Sequence, residues 1–196
     1  MQQIEKPLFT IRDLRAYELQ ADDMPALQRF FEANPLYFKI VNGSPAAASE
    51  ALDVLKETPP AEWGFTKKWL LGFMDQSDNI VAMADVVSDL LAQGVWHIGL
   101  FIMATARHGS GDAQAVYAAL ESWAKQNGAR WLRLGVVQGN VQAERFWARV
   151  GFIQVRTRTD VKLGHCVHTI RVMVKALDNG MMPEYWTLVE RDRPEI

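Results

Sequence analysis

The chain has 196 residues, of which 49% are hydrophobic and 22% are charged, a composition typical of a folded globular domain with a substantial core. Its 21 basic and 23 acidic residues give a net charge of -2, which excludes a broadly basic nucleic-acid-binding surface. A single cysteine, Cys166, excludes an internal disulfide framework and favours a reducing compartment.

The sequence shows no targeting or membrane segment. The N-terminus lacks an apolar run of signal-peptide length, and no stretch approaches the roughly 18 apolar residues that cross a bilayer. We therefore expect a cytoplasmic protein whose partners are neither nucleic acids nor membranes. His165, Cys166 and His168 do not predict a metal site, because strand residues three apart face opposite sides of a sheet.

The first third of the chain predicts one strand and two helices. A strand is expected over residues 14–19, followed by a helix that begins at Asp22 and Asp23 and ends at Asn34-Pro35. A second helix is expected near residues 46–57, where a Thr-Pro-Pro sequence closes it.

The middle of the chain predicts three sequential strands, over residues 69–74, 80–87 and 95–103. Turn residues separate them, beginning with the polar run at residues 75–79. Strands that follow one another through short turns pair antiparallel, so an antiparallel sheet is expected here.

The pattern then changes to a helical period. Apolar residues between 113 and 124 recur at helical spacing, and Gly128 is a suitable terminator. A strand is expected over residues 130–137, a short helix from Asn140 to Val150, and closing strands over residues 152–158 and 168–174. The last residues, 178–196, are mostly polar but contain Tyr185 and Trp186 as docking anchors.

The most informative segment is the glycine-containing loop at residues 104–113, which joins a strand to a helix. Backbone N–H groups in such a loop, with the positive end of the helix dipole, form a phosphate-binding site. A plain strand-to-helix turn is the alternative on this loop alone. The sequence matches neither a P-loop nor the dinucleotide-binding fingerprint, because the required Lys-Ser/Thr and glycine spacing are missing.

The order of motifs around this loop resembles the GNAT superfamily of N-acetyltransferases. Their loop has the form Gln/Arg-x-x-Gly-x-Gly/Ala, and residues 108–113 follow it with Gly111 and Ala113 at the small positions. Asn140, residues 145–147 and Gly151-Phe152 match a second signature. The close resemblance covers roughly residues 95–153.

The resemblance implies an α+β, sandwich-like GNAT fold. Its sheet would be twisted, mixed but mostly antiparallel, with about seven strands and about four flanking helices. We expect a single GNAT-like domain at residues 1–177 and a C-terminal tail, residues 178–196, docked on it. A homodimer is a family-level expectation.

The resemblance also implies an enzyme that moves an acetyl group from acetyl-CoA to a primary amine of a small molecule or peptide. The amine would attack directly in a ternary complex. Main-chain groups of one strand would hold the pantetheine and polarise the acetyl carbonyl, and loop amides would hold the pyrophosphate. The implied cofactor-binding residues are Phe101, Ile102, Met103, His108, Gly109, Ser110, Gly111, Asp112, Ala113, Asn140 and Trp147.

On the acceptor side, Tyr37 and Phe38 fall in the region that shapes the amine pocket in this family, with core packing as the alternative. His97 lies where the family often has a glutamate near the substrate amine. An imidazole suits a general base near pH 7, so His97 is the candidate catalytic residue. Its alternative is an ordinary packed strand histidine.

The chain departs from the family pattern at three positions. His108 replaces the usual glutamine or arginine, and Asp112 brings a carboxylate that Arg107 would offset. Trp147 replaces a tyrosine that serves as general acid in many members, and an indole N–H does not titrate near neutral pH. Two alternatives therefore stay open, a non-catalytic acyl-CoA-binding or sensing module and a protein-interaction module that uses the aromatic tail.

Overall fold

Eight strands form one mixed sheet in the computed structural model, which describes residues 6–194. They are β1 (Phe9–Ile11), β2 (Leu14–Glu18), β3 (Lys67–Met74), β4 (Ile80–Ser88), β5 (Val95–Met103), β6 (Trp131–Val137), β7 (Ile153–Leu163) and β8 (Cys166–Ala176). Their order across the sheet is β1-β2-β3-β4-β5-β6-β8-β7. Neighbouring strands are antiparallel except β5 and β6, which are parallel.

Helices cover both faces of the sheet. They are α1 (Met24–Ala33), α2 (Leu36–Val41), α3 (Glu50–Lys56), α4 (Asp112–Gln126), α5 (Val141–Arg149) and α6 (Met182–Leu188). The apolar sides of α4 and α5 pack on one face, whereas α1, α2, α3 and α6 pack on alternate strand residues that point to the other. Within residues 6–194, no helix has both the length and the apolar character that a bilayer crossing needs.

The expected α+β class with a mixed, mostly antiparallel sheet is confirmed, but the expected counts of about seven strands and about four helices are too low. The additional strand, β1, forms a hairpin with β2 through Arg12, whose positive φ of 51° permits a tight turn. The additional helices, α2 and α6, have six and seven residues. Segments this short contain too few turns for helical periodicity to be recognised.

The parallel pair β5 and β6 is joined by a crossover through α4. Parallel strands require such a crossover, and it places the N-terminus of α4 at the carboxyl ends of both strands. The two strands pair only from Val95 opposite Trp131 to Ile98 opposite Leu134. Beyond these residues they separate, and a cleft opens in the sheet.

The C-terminal segment packs over the sheet. Tyr185 and Val189 are buried with Trp131 of β6. The carboxylate of Asp192, which is fully buried, accepts hydrogen bonds from Arg133 Nε at 2.6 Å and from Tyr185 Oη at 2.7 Å. Arg158 Nη2 donates to the same carboxylate at 3.0 Å. Charge pairing and aromatic packing therefore fasten this segment to β6 and β7.

The predicted division into a domain of residues 1–177 and a docked tail of residues 178–196 stays a prediction. The contacts of Tyr185, Val189 and Asp192 support docking. The first five residues and the last two lie outside the described residues.

Replacing Asp192 with asparagine should destabilise the fold. The two arginines and Tyr185 hold the pKa of Asp192 at about 2, against an ordinary 3.8, despite its burial. Breaking a buried ion pair should cost about 3 kcal/mol at pH 7. The lowered pKa contributes stability above pH 3.8 that is lost as the pH falls toward 2, so the gap between wild type and Asp192→Asn should narrow over that range.

Urea unfolding between pH 2 and pH 7 measures both effects. Asp178→Asn is the matched control, because Asp178 pairs with Lys125 at 2.8 Å on the surface and should cost under about 1 kcal/mol. Equal stability of the two variants at pH 7 would contradict the role given to Asp192.

Candidate active site

A cavity of about 740 Å³ lies at the carboxyl end of β5, between the loop that follows this strand, α2 and α5. Leu36 and Ile40 of α2 line it with Val141 of α5, and all three are exposed apolar side chains. Arg145 and Arg149 of α5 also line it, and no carboxylate does among the described residues. Its size and lining fit a long ligand that is apolar in part and anionic at one end.

The glycine loop forms one border of this cavity and leads into α4, a helix of 15 residues. Gly109 and Gly111 have φ of 81° and 82°, a left-handed conformation that favours glycine. A Cβ atom built at either position would meet nothing within 4 Å, so the space above the loop is open. Open backbone at a helix N-terminus is the arrangement that binds phosphate groups.

The carboxylate of Asp112, at the start of α4, is paired with two arginines. Arg12 Nη1 donates to Asp112 Oδ1 at 3.0 Å, and Arg107 Nη1 donates to Asp112 Oδ2 at 3.2 Å. The neighbouring Ser110 hydroxyl donates to the Arg107 carbonyl and accepts the Asp112 N–H. Two arginines thus balance the negative charge at the start of α4.

His108 and Asn34 tie the loop to the rest of the site. His108 Nε2 lies 3.1 Å from the carbonyl oxygen of Met103, at the end of β5. Asn34 Oδ1 accepts the Thr105 N–H at 2.7 Å, and its amide donates to the Phe30 carbonyl of α1. Asn34 lines the cavity but was not among the residues that the sequence indicated, where it marked only a helix end.

Trp147 belongs to an aromatic cluster beneath the cavity. Its ring centroid lies 5.5 Å from that of Phe101 and 5.1 Å from that of Phe152, both at steep angles. Tyr117 of α4 also contacts it, and the Tyr117 hydroxyl donates to Glu121. Burial and this carboxylate raise the pKa of Tyr117 far above neutrality, so its hydroxyl is not an acid at pH 7.

Tyr37 and Phe38 diverge in the structure. Tyr37 lines the cavity from α2. Phe38 is buried, with its ring 4.9 Å from that of Phe31 in an edge contact. The placement of Phe38 favours core packing, the alternative left open by the sequence.

His97 lies on the sheet face that the C-terminal segment covers. It is not one of the described residues that line the cavity. Its Nδ1 atom lies 3.3 Å from Arg133 Nη1, in the cluster that contains Asp192. Burial, with the charge of Arg133, lowers the pKa of His97 to about 3. The base role stays a prediction, and this placement favours a packed strand histidine.

Asp85, which the sequence analysis did not single out, is a buried carboxylate in the middle of β4. Lys68 Nζ lies 3.1 Å from Asp85 Oδ2, and the other oxygen, Oδ1, is buried without a hydrogen-bond partner. Burial raises the pKa of Asp85 to about 6 even though Lys68 opposes the shift. The sequence feature that could have indicated Asp85 is its position as a single acidic residue in the otherwise apolar run of residues 80–87.

The cavity thus brings together many of the predicted cofactor-binding residues. The predicted residues that line it are Phe101, Ile102, Met103, His108, Gly109, Gly111, Ala113, Asn140 and Trp147. Ser110 and Asp112 stand in the same loop but are not part of this lining within the described chain. Asn140 caps α5, since its Oδ1 accepts the Ala143 N–H at 3.3 Å.

The histidines near Cys166 have other partners. His168 Nε2 lies 2.7 Å from the carbonyl oxygen of Val41, and the His165 N–H donates to the carbonyl of Asn42. Across residues 6–194, no three His, Cys, Asp or Glu side chains are grouped as a metal site would require.

Sequence comparison identifies the family. The acetyltransferase (GNAT) family model matches residues 44–152, more than half of the chain. The protein therefore belongs to the GNAT family of acetyltransferases, enzymes that use acetyl-CoA. A search among curated proteins found no match.

Solved structures share the fold. A spermidine N-acetyltransferase from Vibrio cholerae, in complex with CoA and spermine, is 11% identical with a TM-score of 0.65, covering 84% of this chain and 96% of its own. An acetyltransferase from Thermus thermophilus is 21% identical with a TM-score of 0.62, covering 86% and 99%. The ribosomal-protein-S18-alanine N-acetyltransferase from Escherichia coli is 12% identical with a TM-score of 0.61, covering 86% and 96%.

Replacing His97 with glutamine should leave catalysis largely intact. An imidazole with a pKa of about 3 is a weak base at pH 7, and removing a true general base lowers the rate by about 100-fold or more. We expect kcat/KM for an amine to change less than about threefold, with an unchanged pH profile. If the pH–rate profile of His97→Gln instead lost its acidic limb, the fall in kcat/KM at low pH, His97 would be the base after all.

Proposed function

We propose that this protein is an N-acetyltransferase that moves an acetyl group from acetyl-CoA to a primary amine of a small molecule or peptide. The amine attacks directly in a ternary complex, without an acetylated enzyme. One observation supports this most strongly: an apolar cavity with arginines and without carboxylates in its described lining adjoins an open glycine loop at a helix N-terminus.

The loop and α5 would hold the anionic part of acetyl-CoA. Amides of residues 109–113 would bind the pyrophosphate, except that of Asp112, which donates to the Ser110 hydroxyl. Gly109 and Gly111 leave the backbone of this loop uncovered. Arg145 and Arg149 lie one turn apart on α5 and would add positive charge. Asp112 is paired with two arginines, so its carboxylate would not repel the phosphates.

The strand β5 would hold the pantetheine and the thioester. Pairing between β5 and β6 ends at Ile98, so main-chain groups near Phe101, Ile102 and Met103 face the cleft without a β6 partner. Acetyl-CoA supplies the activated acetyl group, and a backbone N–H there would stabilise the developing oxyanion. Trp147 would pack against the pantetheine as part of the cavity wall. Asn140 would support this wall by capping α5.

The acceptor would enter from the face that carries α2 and α3, where Tyr37 lies. The spermidine N-acetyltransferase of Vibrio cholerae, with a similar fold, acts on an amine, which supports this acceptor class. We also propose a cytoplasmic location, because a one-cysteine enzyme of this kind suits a reducing compartment that supplies acetyl-CoA. The homodimer stays a family-level prediction.

A non-catalytic acyl-CoA sensor is the second candidate, favoured by Trp147 in place of a titrating tyrosine. The interaction module is less favoured, since Tyr185 of the aromatic tail is buried inside the fold.

An acceptor screen separates the enzyme from the sensor. We expect free thiol to accumulate when acetyl-CoA is mixed with the protein and a panel of small amines and amine-terminated peptides. A thermal shift with CoA but no thiol release from any amine would contradict catalysis and favour the sensor.

Replacing Gly111 with valine should weaken CoA binding. A β-branched residue is strained at a φ of 82°, and its side chain would fill the open space above the loop. We expect the Kd for CoA to rise by about tenfold or more, measured by calorimetry.

Gly128→Val is the matched control. Gly128 has a φ of 102° and equally open surroundings, but it lies at the other end of α4, about 20 Å away. It should lower Tm while leaving the Kd for CoA unchanged. Equal affinities of both variants would argue against phosphate binding at the loop.

A further inference from the structure

We propose that Asp85 is the base that accepts a proton from the acceptor's ammonium group. This inference rests on the acetyl transfer proposed above and adds the residue that prepares the amine for attack.

A β-bulge on β5 lies opposite Asp85, which is buried and is not one of the described residues that line the cavity. Asp85 pairs with Leu100 and the next residue of β4, Val86, pairs with Ile98, so Gly99 is an extra residue on β5. Such bulges redirect side chains and interrupt pairing. Gly99 directly follows Ile98, the last residue of β5 that pairs with β6, and it precedes Phe101 by two positions.

Gly99 lies against the buried Asp85 carboxylate and presents no side chain to it. A Cβ at Gly99 would lie 3.6 Å from Asp85 Cγ and 3.8 Å from each carboxylate oxygen. Gly99 itself is exposed. Any larger residue would place a methyl group against the carboxylate. With glycine, that space is left for an ammonium group that reaches Oδ1 past the β5 backbone.

Lys68 fixes the carboxylate and uses only one of its oxygens. Its ammonium lies 3.1 Å from Asp85 Oδ2 and also donates to the carbonyls of Val54 and Glu57 at the end of α3. The three donors of Lys68 are thereby occupied. Oδ1 is buried without a partner, an arrangement that costs free energy and that an ammonium donor would relieve.

The charged surroundings suit a base near neutral pH. Burial raises the pKa of Asp85, the Glu57 carboxylate adds to the rise, and Lys68 lowers it, leaving a value of about 6. Tyr37, which lines the cavity, has a raised pKa through burial and through the Asp85 charge, so its hydroxyl stays neutral. At pH 7 the Asp85 carboxylate is ionised and can accept a proton, whereas the Tyr37 hydroxyl keeps its own proton.

The step balances without a further reactant. An N–H bond of the ammonium breaks and its proton passes to the Asp85 carboxylate, which becomes a carboxylic acid. The freed lone pair forms the C–N bond to the acetyl carbon as the C–S bond breaks. The thiolate takes the second proton from nitrogen, and Asp85 later returns its proton to solvent.

Asp85→Asn tests the assignment, because asparagine keeps the shape but not the basicity. We expect kcat/KM for an amine to fall about 100-fold or more, with loss of the acidic limb near pH 6. The thermal shift with CoA should match the wild type. Glu57→Gln is the matched control for a nearby carboxylate and should retain the rate at pH 7. Its acidic limb should persist but move to lower pH, because the Glu57 carboxylate raises the pKa of Asp85.

Gly99→Ala provides a second variant that keeps every ionisable group. The new contacts at 3.6–3.8 Å are ordinary, so the protein should fold and bind CoA normally. We expect kcat/KM to fall by about tenfold or more because the methyl group fills the space through which the ammonium would reach the carboxylate.

The outcomes separate the two proposals. If wild type releases thiol with an amine but Asp85→Asn keeps its rate and acidic limb, the base assignment alone is overturned. If Asp85→Asn has a lower Tm but the kcat/KM of the wild type, Asp85 has a structural role and is not the base. If the wild type acetylates no amine, the proposed transfer fails and the base assignment with it.

Discussion

The parallel pairing of β5 and β6 stops after four residues of each strand, and the site depends on this break. Parallel pairing at Val95–Ile98 fixes both strands and requires the α4 crossover. The separation beyond Ile98 frees main-chain groups of β5 and opens the cavity. If the pairing continued, the sheet would be closed where the proposed reaction takes place.

The end of β5–β6 pairing at Ile98 affects both faces of the sheet. On the face of α4 and α5, the glycine loop, two arginines and the aromatic cluster around Trp147 border the cavity. On the opposite face, the bulge at Gly99 leaves no side chain over the buried Asp85 carboxylate. A cofactor held on one face and an amine presented from the other would meet at β5, and proximity of this kind supplies much of the rate in a two-substrate reaction.

The sequence predicted the cofactor side better than the acceptor side. Loop, helix and strand from Val95 to Phe152 follow one another locally, so glycine spacing and helical period indicate them directly. Asp85, Lys68 and Gly99 come from two antiparallel ladders, and their proximity depends on a register shift that no local pattern encodes. His97 occupied the expected strand, but it lies opposite Arg133 on the neighbouring strand β6, and Arg133 is held by Asp192, 59 residues further along the chain.

The central claim, direct acetyl transfer in a ternary complex, is tested by following a labelled acetyl group. Wild-type protein is incubated with an accepted amine and acetyl-CoA that carries a deuterated acetyl group. The masses of the amine and of the intact protein are then measured by mass spectrometry. The account predicts one deuterated acetyl group on the amine and an unmodified protein throughout turnover. A protein that gains the label and transfers it later, or an amine that never gains it, would contradict the account.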